Sequence, residues 1–70
     1  MSNELKIKAF EIVETLETKM YEDIKIFGTE SKTAHRSQEE WSNAIDLFSQ
    51  LFNITDTDFI DEAIHYKYNH

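Results

Sequence analysis

Apolar side chains recur along the first part of the chain at intervals of three and four. Leu5, Ala9, Ile12/Val13, Leu16, Met20, Ile24 and Phe27 form one such series. That spacing is the stripe of a 3.6-period helix and predicts a helix over about 4–27. Phe10, Tyr21 and Ile26 fall beside the stripe, so the apolar sector is broad and asks for more than one neighbour. Ser2 or Asn3 is suited to accept from the first free amides, Glu4 to the positive end of the helix dipole, and Gly28 to the left-handed residue after the last turn.

A second series, Trp41, Ala44, Ile45, Phe48, Leu51 and Phe52, has the same period, with Glu39, Asp46 and Gln50 among its polar positions. Its start has two readings. Ser37-Gln38-Glu39-Glu40 matches the capping box and would begin the helix at Gln38. Ala34 and Gln38 continue the stripe backwards, and a start at about Ser31, giving a helix over about 31–52, matches the first helix better in length. Asn53 breaks the pattern. Thr55 then caps a third helix over about 56–68, with Asp56 and Asp58 in its first turn and Ile54 and Phe59 at the spacing of a hydrophobic staple. Its inward set is Phe59 or Ile60, Ala63, Ile64 and Lys67 by its stem, with Asp61, Glu62 and His65 outward.

The expected fold is all-α: a single domain over 1–70, built as an antiparallel hairpin of two long helices with a short C-terminal helix. A single glycine and no proline among 70 residues agree with few breaks between helices. A helix of two dozen residues spans about 36 Å, whereas a compact chain of this size has a radius of gyration of about 11 Å. Either an equally long helix covers the stripe or a second chain does, so the protein is expected to be a homodimer or partner-bound. Leu16, Met20, Ile24 and Phe27 are the interaction candidates along the stripe. Trp41 suits an interface anchor, but its register with Ile45 and Phe48 favours the core. Tyr66 and Tyr68, in the least acidic stretch of the second half, are the contact candidates at the C-terminal end.

Charge narrows the partners. Fourteen acidic against seven basic side chains give −7 at pH 7, divided as −2 over residues 1–35 and −5 over 36–70. Without a Lys/Arg run, direct binding to nucleic acid or to an anionic membrane surface is not expected. The acidic excess suits a protein partner with a basic surface. Asp56, Asp58, Asp61 and Glu62, with Glu39, Glu40 and Asp46, also admit an alternative function, imitation of duplex phosphates on a DNA- or RNA-binding protein.

Candidate chemistry is sparse. There is no cysteine, which removes disulfides, a thiol nucleophile and thiolate zinc ligands. His35, His65 and His70 are the only imidazoles, and Asp61 and His65 share a helical face four residues apart. That pair carries a second alternative, a metal-dependent activity through His65, but it lacks a third and fourth ligand in any known spacing. Asp56-x-Asp58 opens like a calcium loop and then places Asp61 and Lys67 where Gly and Glu are required. A phosphate loop or nucleophile elbow needs more than one glycine. No enzymatic activity, catalytic residue, metal or cofactor is therefore expected. Asn53-Ile54-Thr55 matches a glycosylation acceptor, which matters only in a secreted chain. The N-terminus lacks the basic and apolar regions of a secretory signal and no segment has the length of a membrane span, so a cytoplasmic location is expected.

The stretch Gly28-x-x-Ser31-x-x-Ala34-x-Arg36-x-x-x-x-Trp41-x-x-Ala44, preceded by a long amphipathic segment and followed by a Leu/Phe run, resembles small helical-hairpin proteins encoded by bacteriophages and prophages of Gram-positive bacteria. The resemblance spans residues 16–52. It implies a phage-type accessory protein in the host cytoplasm that inhibits or modulates a host or defence protein.

Overall fold

The computed structural model describes residues 3–69, leaving the side chain of Asn3 undescribed. Three α-helices follow one another: α1 (Asn3–Phe27), α2 (Lys32–Phe52) and α3 (Asp56–Tyr68). No strand occurs among the described residues. The N-cap expected from Ser2 or the side chain of Asn3 lies outside the described residues, as does His70.

The two breaks are set by side-chain and backbone chemistry. Gly28 ends α1 at φ +88°, its N–H donating to the Ile24 carbonyl at 2.9 Å. Ser31 then caps α2, its Oγ accepting from the Ala34 N–H at 3.0 Å and donating to the Gly28 carbonyl at 2.9 Å. The capping box at Ser37 is not used. Ser37 lies one turn inside α2, buried, and donates to the Asp23 carboxylate of α1. At the other break Asn53 takes the left-handed conformation (φ 57°, ψ 46°), and the Ile54 N–H reaches back to the Ser49 carbonyl at 3.0 Å. Asn is among the few non-glycine residues that adopt this geometry. Asn53-Ile54-Thr55 is thus a capping unit: Thr55 Oγ1 accepts from the Asp58 N–H at 3.1 Å and starts α3.

The core is small and aromatic. Ala9, Phe10 and Val13 of α1, Ile45 of α2 and Phe59 of α3 form its buried cluster, with Trp41, Phe48, Phe52, Ile54, Ile60, Ala63 and Tyr66 packed around it. Phe59 is fully buried, with ring centroids of Phe10, Phe48 and Phe52 at 5.3, 6.0 and 6.4 Å. Phe10, expected beside the stripe, is therefore central, because α3 packs on its flank of α1. Other expected core positions are corrected outward. Leu5, Ile12, Phe27, Leu51 and Ile64 are exposed, since one short helix cannot cover both sides of two long ones. Ser37 and Ser49 take buried places, Ser49 donating to the Ile45 carbonyl one turn back at 2.7 Å.

α1 and α2 run alongside each other, touching at Ser37 and Asp23 and at the Lys19–Glu40 ion pair, 3.5 Å. α3 joins α1 through Lys6–Glu62 at 2.6 Å and Glu17–Lys67 at 3.9 Å. Glu62, expected to face outward, is drawn to α1 by Lys6. The molecule measures 40 × 25 × 16 Å with a radius of gyration of 12.8 Å, elongated because the long helices set its length. Among the described residues no helix is long and apolar enough to cross a membrane.

In urea titrations, Ser31→Ala and Thr55→Ala should each lower stability by ~1 kcal/mol through loss of a cap. Phe59→Ala should cost about 3–5 kcal/mol, most of the stability expected of a domain this small, and leave the chain largely unfolded.

Candidate interaction surface

Each of the two long helices carries two apolar seams. On α1 the buried seam runs through Phe10, Val13 and Met20, toward the core. The second runs Leu5, Ala9, Ile12, Leu16, Lys19, at steps of four, three, four and three. Lys6, Phe10 and Glu17 face α3. At 3.6 residues per turn the second seam lies roughly 100–140° around the helix from them at Leu5, Ile12 and Leu16.

α2 repeats the arrangement. Phe48 and Phe52 meet Phe59 of α3, while Glu40, Ala44, Leu47 and Leu51 follow steps of four, three and four on a line about 100° away at the leucines. The Lys19–Glu40 ion pair joins the two lines, so both seams open on one side of the α1–α2 pair, away from α3. The small residues Ala9 and Ala44 lie in the floor, buried and half-buried. The large ones form the walls: Leu47 and Leu51 keep 64% and 59% of their surface exposed, Leu5 and Ile12 45% and 48%. Leu16 is half-buried. A shallow groove over α1, lined by Lys8, Glu11, Ile12, Thr15 and Leu16, is part of this face.

The residues singled out from sequence separate into distinct places. Met20 is buried, 6% exposed, and belongs to the inner seam. Ile24 is half-buried, while Phe27 is exposed where α1 ends. Trp41 is half-buried against the core, with an indole N–H that is buried and without a hydrogen-bond partner among the described residues. Asp56, Asp58 and Asp61 are exposed on α3, and Glu62 pairs with Lys6. Tyr66 packs its ring tilted against Phe10, centroids 5.7 Å apart, whereas Tyr68 is exposed. Of the sequence candidates, only Leu16 sits on the open seam. Leu47 was missed, although its spacing of seven from Glu40 and four from Leu51 carried the signal.

Among the described residues no three His, Cys, Asp or Glu side chains gather as metal ligands, so Asp61 and His65 have no third partner of that kind. A small space of about 40 Å³ lies between α1 and α3 against Phe10, Val13, Ala63 and Tyr66. It is room for a water or two. Comparison of the chain with protein-family models, with curated proteins and with solved structures gave no match.

The two seams predict opposite responses to charge. Met20→Asp places an unpaired charge among buried atoms and should unfold the chain. Ile12→Glu and Leu47→Glu should leave the chain folded, with helical circular dichroism retained, as substitutions at exposed positions do.

Proposed function

We propose that the protein is a non-enzymatic interaction module that works through the open α1–α2 face. The observation that carries this reading is the pair of exposed apolar seams at heptad-like spacing on a chain otherwise rich in charge. Contiguous exposed apolar surface on a soluble chain marks a site of association. A 3.5-residue seam is the pattern that helices use to dock on other helices.

The face takes its form from an antiparallel hairpin of α1 and α2. That arrangement is supported by the two contacts between them, Asp23 with Ser37 and Lys19 with Glu40, in which numbers fall on α1 as they rise on α2. Continued at equal rise, the same register brings Leu16 level with Ala44, Ile12 with Leu47 and Phe48, and Ala9 with Leu51. The acidic surface, densest over residues 36–70, surrounds the apolar face and suits a protein target with basic surroundings. Together with the phage-like hairpin pattern around Gly28, Ser31, Ala34, Arg36, Trp41 and Ala44, this fits an accessory protein that modulates another protein.

A photo-crosslinking amino acid at Leu47 or Ile12, in cells that carry the chain, tests the reading. A discrete adduct is expected from these two positions and not from the polar flank at Glu39 or Asp46. Absence of any adduct at the seam, or equal adducts at all four positions, would overturn it.

A further inference from the structure

The open face has the shape and charge to fit itself. The seams run about 20 Å, Leu5 to Lys19 on α1 and Glu40 to Leu51 on α2, and two helices with axes about 9 Å apart present a face roughly 20 Å wide, hence roughly 400 Å² from each copy. That is the small, weakly associating end of specific interfaces, a standard one taking about 800 Å² from each partner. Its centre is apolar, with Leu5, Ile12, Leu16, Leu47 and Leu51 around the Ala9 and Ala44 floor. Charge enters at Lys19 and Glu40 in the seams and at Lys8 and Glu11 along the groove beside Ile12 and Leu16, two of each sign. Apolar centre and polar edge are the anatomy of an interface.

Building on the proposed interaction face, we infer that its occupant is a second copy of this chain, and that two hairpins pack seam to seam as a four-helix bundle with each α3 on the outside. Three observations select this occupant. Both helices carry the same four-three spacing, so each can act as the other's partner, as bundle helices do at crossing angles near 20°. The seam faces are net neutral on a chain of −7, so two copies meet without bringing net like charge together. Finally, a two-fold axis along the helices lays α1 of one copy over α2 of the other with every residue at its own level. Ile12 and Leu16 then lie over Leu47 and Ala44 of the second copy, and Lys19 over its Glu40. The intramolecular ion pair becomes a cluster of four alternating charges that fixes the register.

The test is the molar mass of the purified full chain by sedimentation equilibrium across the micromolar range. The expected mass is twice the 8.3 kDa of one chain. Ile12→Glu combined with Leu47→Glu should return it to one chain with helicity retained. Should that variant unfold, the charge swap decides: Lys19→Glu alone weakens the dimer at least severalfold, and adding Glu40→Lys restores it. A chain monomeric throughout, a dimer untouched by the seam variant, or a swap that restores nothing would each overturn the second copy as occupant. If the purified chain is monomeric but crosslinks in cells from Leu47 to a protein of different mass, the interaction face stands and only its occupant changes.

Discussion

Phe59 is the point at which the three helices meet. Its ring, fully buried, lies within 6.4 Å of Phe10 from α1 and of Phe48 and Phe52 from α2. Burying one such side chain is worth about 1.5–3 kcal/mol, and each tilted or offset aromatic neighbour adds about 0.5–1.5 kcal/mol. In a domain this small, whose net stability is of the order of a few kcal/mol in total, that fixes where α3 lies. The cap at Thr55 and the left-handed Asn53 aim the helix, and Ile54 packs against the same cluster. With α3 committed to the Phe10 side, no other helix among the described residues covers the opposite side of α1 and α2. The open seam follows from this one packing choice.

The ion pairs follow the same division. Lys6–Glu62 and Glu17–Lys67 tie α3 to one flank of α1, and Lys19–Glu40 ties α2 across the other. Partly exposed pairs like these contribute ~0–1 kcal/mol each. Their value is in register: they select which residues stand opposite one another once burial has brought the helices together. Asp56, Asp58 and Asp61 lie exposed on α3, and Glu39 and Asp46 lie exposed on α2. The molecule thus presents a strongly acidic exterior and one apolar, charge-balanced face.

The helices were legible in the sequence because their periodicity and caps are local. The reading from Ser31 predicted α2, and Thr55 predicted α3, since a Ser or Thr side chain at the right place reads the same in sequence and in space. The core was less legible. On α1 the broad apolar sector contains two seams that share Ala9, and period alone cannot say which faces inward. Leu5, Ile12 and Leu16 belong to one, while Phe10, Val13 and Met20 belong to the other. That choice was made by α3, through the tilted ring contacts of Phe59 and Tyr66 with Phe10, between residues about fifty positions apart. Leu47 escaped notice for a related reason: it lies off the main α2 stripe and gains meaning only when Lys19 and Glu40 join the two helices. Ser37 carried a capping box in sequence, yet burial beside Asp23 gave it a different task.

The central claim is that the seam face, and no other, joins two copies side by side. Small-angle X-ray scattering of the full chain measures mass and shape together. A dimer through this face has twice the mass of one chain at a length close to the 40 Å of a single molecule, because packing across the helices thickens the particle and leaves its longest dimension unchanged. A particle of one chain's mass with a radius of gyration near 12.8 Å, or a dimer much longer than one molecule, would contradict it.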